Sequence, residues 1–213
     1  VDTVNGISNY SLDGTLQIPY GSSLNITAGV SLTGPGFNSR FDPSSRIEVF
    51  GNLSVEGTNE QRVAMREVML EADDADGIPQ IRLGYIDFKT GTINGNGDAL
   101  VSINNSVIED LRDEIGIKRR KGFDDFTQTI VGNVFLGTAN TSRLIEFNSG
   151  LLSLNDNYFG VGNDWSGVAL PLALDVNIWR FSECPSWIDG PPMSLSVTTN
   201  PFAYPTGTVV RYS

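Results

Sequence analysis

The densest charge in the chain lies within residues 109–127 and includes the basic run Lys118-Arg119-Arg120-Lys121. Guanidinium groups bind carboxylate and sulfate through paired hydrogen bonds, so this run predicts a binding site for a sulfated or uronic-acid polysaccharide. Acidic residues flank the run on both sides. They favour the other interpretation, a solvated loop with internal ion pairs.

The second candidate for binding is a set of aromatic residues near the C-terminus. Residues 165–213 contain all three tryptophans of the chain, Trp165, Trp179 and Trp187. Trp179 and Trp187 could stack on sugar rings. Large aromatic residues also cover the end of an apolar core, and this second interpretation is the favoured one.

A third candidate is a hard-cation site at residues 73–77, which read DDADG. Calcium binds six to eight oxygen atoms, and aspartates on a turn supply them. The glutamate that would close an EF-hand loop is missing, which favours an ordinary acidic turn. We therefore expect no cofactor, and calcium at this loop is the exception left open.

The sequence shows no assembled catalytic set. It has no histidine, so mechanisms that need imidazole as base, nucleophile or ligand are excluded. Cys184 is the only cysteine, and a buried structural thiol is its simpler interpretation. We name no catalytic residue and expect the chain not to be an enzyme.

The overall charge limits the partners. A net charge of −11 would repel a phosphate backbone, so nucleic acid is not expected as a partner. No apolar run reaches the roughly 18–20 residues of a spanning helix, and membrane insertion is not expected either.

The elements that would position these residues are short strands. Paired apolar residues alternate with polar ones, which is strand periodicity with one buried face. The pairs are Leu16/Ile18, Leu24/Ile26, Val30/Leu32, Ile47/Val49 and Leu53/Val55. Glycine follows many of these pairs after a few residues, where a strand turns a corner. Strands so short and so regularly interrupted predict a solenoid.

A second repeat supports the solenoid. Four six-residue segments, each with an apolar first and last residue, begin at Leu83, Ile103, Ile130 and Leu154, which lie 20 to 27 positions apart. A period in the twenties is typical of stacked coils, in which each coil completes the core of its neighbour.

These segments resemble a known family. Residues 15–32 (TLQIPYGSSLNITAGVSL) and 47–58 (IEVFGNLSVEGT) are similar to the opening coils of the pectin-lyase-like right-handed β-helix superfamily. The later segments IVGNVF and LNDNYF resemble its general repeat, in which an asparagine at a tight corner stacks on its neighbour. The resemblance implies an all-β fold, a single-stranded right-handed parallel β-helix. It does not select a function, because the same solenoid carries enzymes and inert scaffolds.

The resemblance also supplies the rival function. Polysaccharide-cleaving members of the superfamily use aspartates with a histidine, which this chain lacks, or aspartates that hold calcium beside a basic residue. Arg82, with Asp87 and either Glu109 or Asp110, is the nearest approach to the second arrangement. A lyase or glycoside hydrolase acting on acidic polysaccharide is therefore the alternative.

The predicted layout is one domain. Residues 1–164 form β-helix coils, and residues 165–213 form a C-terminal cap of the same domain. Residues 60–80 and 109–127 interrupt the period and are expected to leave at corners, often on the binding face. We expect a non-enzymatic structural or recognition protein, extracellular or on the surface of a cell or virion, which binds glycans or associates with sister subunits.

Overall fold

A computed structural model shows an all-β chain whose strands form parallel sheets. The residues that it describes are 8–39, 42–43, 45–73, 77–112, 115–118, 127–136, 145–147, 151–155, 157–159, 168–169, 179–181 and 210–212. Three long sheets dominate, and successive strands of the chain enter them in rotation. This is a parallel β-helix, as the sequence predicts.

The first sheet contains the strand that opens each coil. Its seven strands are β1 (Asn9–Ser11), β4 (Ser31–Thr33), β9 (Val63–Arg66), β12 (Ile86–Lys89), β15 (Val107–Glu109), β18 (Val134–Leu136) and β21 (Tyr158–Phe159). Each pairs in parallel with the equivalent strand of the next coil.

The second sheet follows after a tight corner. Its strands are β2 (Gly14–Ile18), β7 (Ser45–Val49), β10 (Met69–Ala72), β13 (Thr92–Asn96), β16 (Ile115–Lys118), β19 (Ile145–Phe147) and β22 (Val168–Ala169). A short antiparallel pair, β5 (Phe37–Ser39) and β6 (Asp42–Pro43), lies in the connection between β4 and β7.

The third sheet closes each coil. Its six strands are β3 (Ser23–Thr27), β8 (Asn52–Glu56), β11 (Gln80–Gly84), β14 (Leu100–Asn104), β17 (Thr127–Val131) and β20 (Leu151–Asn155). One further parallel pair, β23 (Trp179–Phe181) with β24 (Val210–Tyr212), lies later in the chain.

The core lies between the three sheets and is built by the alternating apolar residues. The predicted pair Ile47/Val49 is fully buried, and so are Leu53 and Val55. Leu16 occupies the inward row beside Ile47 but is 41% exposed. Among the described strands, β2 pairs with β7 alone. No described coil therefore packs against the other side of Leu16.

The corner from the third sheet to the first is held by a ladder of side chains, as the repeat predicts. Asn133 and Asn157 are buried there and hydrogen-bonded to each other, with Nδ2 of Asn133 at 3.1 Å from Oδ1 of Asn157. Ser106 takes the same position one coil earlier, and its backbone N–H donates to Oδ1 of Asn133 at 2.9 Å. The asparagines therefore satisfy backbone groups that the turn removes from the sheets.

Both segments predicted to interrupt the period contain strands of the coils. The segment 60–80 contains β9 and β10, which continue the first and second sheets, so the coil runs on through this segment before its acidic loop. The segment 109–127 is not one insertion, because β16 lies inside it and continues the second sheet, with Ile115 fully buried. This short Ile-Gly-Ile strand is hard to predict from the sequence because charged residues flank it on both sides.

The proposed cap is mostly outside the described residues. Within it, β22 pairs with β19 and extends the second sheet beyond residue 164. The role of residues 165–213 as a cap therefore stays a prediction.

Candidate binding face

The predicted basic site lies mostly outside the described residues. Lys118 ends β16, where its backbone lies beside Asn96 in β13. Arg119, Arg120 and Lys121 are not among the described residues. Binding of acidic polysaccharide at this run stays a prediction.

The predicted tryptophan site also lies mostly outside the described residues. Trp179 lies in β23, paired with Val210 of β24, and the structure describes its backbone alone. Trp187 is outside the described residues. A sugar-binding role for the two tryptophans stays a prediction.

The acidic loop is partly described. Of its three aspartates, Asp73 is described and Asp74 and Asp76 are not. Within the described ranges there is no group of three or more His, Cys, Asp or Glu residues that could hold a metal ion. Calcium at this loop stays untested.

The combination of Arg82 with Asp87 is wrong, because the two residues lie on different sheets. Arg82 lies on β11 of the third sheet, and Asp87 lies on β12 of the first. Nε of Arg62, rather than Arg82, pairs with Oδ1 of Asp87 at 2.6 Å. Glu109 is paired with Lys89, also on the first sheet, at 2.8 Å.

The outward side of the third sheet, which we call the third-sheet face, has three rows of outward residues, and its middle row is polar. In a strand, alternate residues point outward, so each five-residue strand contributes its first, third and fifth residues. The register aligns the third residues in one middle row, Asn25, Ser54, Arg82, Ser102, Thr129 and Ser153. In the five strands of this row whose side chains are described, β3, β8, β11, β14 and β17, the central side chain is polar, and the backbone register continues the row to Ser153 in β20.

The third-sheet face carries very little charge. Along its six strands, Glu56 and Arg82 are the only charged residues. The remaining outward residues are mainly serine, threonine, asparagine and glutamine. Such side chains offer hydroxyl and amide groups that both donate and accept hydrogen bonds.

Glu56 and Arg82 lie on neighbouring strands of this face. Arg82 is in register with Ser54, and Glu56 is in register with Gly84, so the two charged residues are diagonal neighbours. Gly84 has no side chain, and a Cβ atom there would lie 2.2 Å from Oε2 of Glu56. The carboxylate of Glu56 thus occupies space that any larger residue at position 84 would take.

The neighbouring polar groups are bonded to one another along the face. Nη2 of Arg82 donates to Oε1 of Gln80 at 2.7 Å. On the next strand, Nδ2 of Asn104 donates to Oγ of Ser102 at 3.0 Å, and this hydroxyl bonds to that of Thr129. These bonds hold the polar groups of the middle row in fixed positions.

The electrostatics of Glu56 are unusual for an outward residue. The side chain of Glu56 is exposed, but neighbouring atoms exclude part of the water around its carboxyl group. This desolvation raises the pKa of the carboxyl above the usual value, and the positive charge of Arg82 opposes this in part. A carboxyl with a raised pKa beside a cation is typical of functional sites, although structural networks show it too.

Each of the other two faces has a cation that is held in ion pairs. On the second sheet, Nη1 of Arg46 lies 3.4 Å from Glu48 and 3.3 Å from Glu71. On the first sheet, Nζ of Lys89 lies between Glu109 and Asp110. In the described part of the chain, Arg82 makes no ion pair within 4 Å, so its guanidinium can bind an external group.

Comparison of the chain with protein-family models, with characterised proteins and with solved structures finds no match. The resemblance to the pectin-lyase-like superfamily therefore rests on the sequence segments alone. Across the described residues, no helix is long and apolar enough to cross a membrane.

The sequence contains the polar residues of the middle row, but the pattern within one strand does not show that they align. The central residues of NLSVE, QIRLG, LVSIN and TQTIV are Ser54, Arg82, Ser102 and Thr129. Each is polar between two buried residues. Their alignment in one row depends on the register of coils of unequal length.

Proposed function

We propose that this chain is a non-enzymatic recognition β-helix of an extracellular, cell-surface or virion assembly, and that it binds an extended neutral glycan along the third-sheet face. The observation that supports this proposal is the middle row, in which five successive strands, β3 to β17 in sheet order, each present one polar side chain in register. A glycan repeats its hydroxyl groups along its length, so a periodic row of donors and acceptors complements it.

The dimensions of the face agree with an extended ligand. Strands in a sheet lie about 4.8 Å apart, so six strands give a strip about 24 Å long. Along this strip the strands are paired in register. Several successive sugar units of an extended chain would contact it.

The charge of the protein favours a neutral ligand over an acidic one. The net charge of −11 raises the cost of bringing a polyanion near the surface. On the third-sheet face, Glu56 and Arg82 have opposite signs, so the face itself is close to neutral. The hydroxyl groups of a neutral sugar can hydrogen-bond to Glu56 and to Arg82, and they bring no charge to the face.

A glycan array with neutral and acidic polysaccharides tests this function. We expect the wild-type protein to bind neutral chains, and Arg82→Ala to lose most of this binding. Arg46→Ala on the second sheet is the matched control, because it removes an arginine from a different face, and it should bind as wild type does. Preferential binding of acidic chains, unaffected by Arg82→Ala, would instead favour the basic run at residues 118–121.

The raised pKa of Glu56 beside Arg82 supports a second candidate, cleavage of a polysaccharide. Hydrolysis by paired carboxyl groups needs a second acid about 5–10 Å away, and the described strands of the third sheet carry Glu56 alone. Release of new reducing ends, or of unsaturated products that absorb ultraviolet light, would establish this activity and overturn the non-enzymatic function.

Self-association is the remaining alternative for the third-sheet face, because interfaces between subunits are also depleted in charge. Size-exclusion chromatography with light scattering separates the two functions. A stable oligomer that Arg82→Ala dissociates would place a sister subunit, rather than a glycan, on this face.

A further inference from the structure

The only two charged residues of the third-sheet face lie close to each other although the rest of its strands are uncharged. A solvated surface needs no such pairing, since single charges anywhere on the face would keep it soluble. Glu56 and Arg82 are not joined as an ion pair within 4 Å, and the guanidinium donates one hydrogen bond to Gln80. Both charged groups therefore keep capacity to bind a third group.

We propose that Glu56 and Arg82 form the anchoring subsite of the third-sheet face, where a vicinal pair of hydroxyl groups on one neutral sugar unit bridges the carboxylate and the guanidinium. This inference rests on the proposed function and names the group that it recognises. The sugar unit lies across β8 and β11, and its neighbours in the glycan extend along the middle row.

The chemistry of the two side chains selects a diol. An ionised carboxylate accepts hydrogen bonds and donates none, whereas a guanidinium donates and does not accept. A hydroxyl group does both, so one hydroxyl donates to Glu56 while its neighbour accepts from Arg82. Hydrogen bonds to charged groups are stronger than those between neutral groups, which makes this pair the strongest contact on the face.

The surroundings hold both groups ready for a ligand. The bond to Gln80 uses one of the five N–H groups of Arg82 and fixes the direction of its guanidinium. Ser54 and Ser102 lie on either side of Arg82 in register. Because Gly84 has no side chain, the carboxylate of Glu56 can lie over this position of the sheet.

Protonation of Glu56 gives the subsite a dependence on pH. The two strands beside β8 contribute Arg82 from β11 and no charge from β3, and the adjoining corner contains Glu60 and Arg62, which pairs with Asp87. A protonated carboxyl no longer accepts at both oxygens. Binding should therefore weaken as the pH falls through the pKa of Glu56, which desolvation raises above the usual value for glutamate.

Calorimetric titration with galactomannan, dextran and mixed-linkage β-glucan tests the subsite, each polymer intact and after periodate oxidation, which cleaves vicinal diols. We expect wild type to bind at least one intact polymer and to lose about a hundredfold in affinity after oxidation, because two charge-assisted hydrogen bonds are lost. Glu56→Gln and Arg82→Lys should each weaken one of these bonds and lose about tenfold. Glu48→Gln, on the second sheet, is the control and should leave the affinity unchanged.

Gly84→Ala is a second, independent variant, because it displaces the carboxylate of Glu56 without removing it. It should reproduce the loss seen with Glu56→Gln, while circular dichroism shows an intact fold. If wild type binds a polymer and the three variants bind it equally well, the subsite is wrong and the proposed function stands. If wild type binds none of the polymers, the proposed function and the subsite both fail.

Discussion

The amide group of Asn133 stacks directly on that of Asn157, with Nδ2 of Asn133 at 3.1 Å from Oδ1 of Asn157. Each amide also bonds to the backbone of the preceding coil, since Asn133 donates to the carbonyl of Ile103 and Asn157 to that of Ile130. Both side chains are buried. The ladder thus joins successive coils at the corner where the chain turns from the third sheet to the first.

Asn133→Ala should lower the free energy of unfolding by about 3 kcal/mol or more, because it leaves several buried groups without partners. These groups include the backbone N–H of Ser106 and the carbonyl of Ile103. Urea unfolding followed by circular dichroism measures the change. Asn25→Ala, at an exposed position of the third-sheet face, should change stability by no more than about 0.5 kcal/mol. Equal effects of the two substitutions would contradict the role of the ladder.

Arg62 should be required for stability although arginine is usually a surface residue. Its Nη2 donates to the carbonyls of Ile86 and Asn105 at 2.8 and 2.9 Å, and its Nε pairs with Asp87. Arg62→Ala removes bonds to two different coils and should lower stability by about 2–3 kcal/mol.

The control for Arg62 is Arg46→Ala, which removes two partly exposed ion pairs, with Glu48 and Glu71, and should cost about 1 kcal/mol. Arg62→Lys distinguishes charge from geometry, because one ammonium group cannot reproduce the fork of the guanidinium. Full stability of Arg62→Lys in thermal melts would show that the charge alone is needed.

Gly51 lies where two coils approach most closely at a corner. A Cβ atom at this position would lie 2.2 Å from the carbonyl oxygen of Ser22 and 2.4 Å from that of Pro19. Gly51→Ala must therefore move backbone, and we expect a loss of about 3 kcal/mol in urea unfolding.

Gly84→Ala is the matched glycine substitution. Its Cβ atom would meet the end of the flexible Glu56 side chain, which can move aside, so the loss should stay below about 1 kcal/mol. If Gly84→Ala destabilised the protein as much as Gly51→Ala does, the distinction between backbone and side-chain contact would be wrong.

The fold could be predicted from the sequence because its buried residues form local patterns that repeat from coil to coil. Ile47 and Val49 alternate within one strand, and Asn133 and Asn157 recur at the same corner. The third-sheet face could not be predicted in this way. Arg82 lies beside Glu56 only because of the register between coils of unequal length, and corner lengths are not fixed by a local pattern. The sequence instead suggested Asp87, which is closer along the chain but lies on another sheet.

Glu56 gives a prediction for the dependence of stability on pH. Its pKa in the folded protein is raised, so the folded state binds the proton more tightly than the unfolded state does. Glu56 therefore favours folding when protonated, and this contribution is lost as the pH rises through its folded pKa. Glu56→Gln, which cannot ionise, should melt at a slightly higher temperature than wild type at about pH 7, and the difference should vanish below about pH 4.

Glu48→Gln is the control with the opposite sign, since it removes attraction to Arg46 and should not raise the melting temperature at about pH 7. A lower melting temperature for Glu56→Gln at about pH 7 would show that the ionised carboxylate stabilises the fold, contrary to its raised pKa.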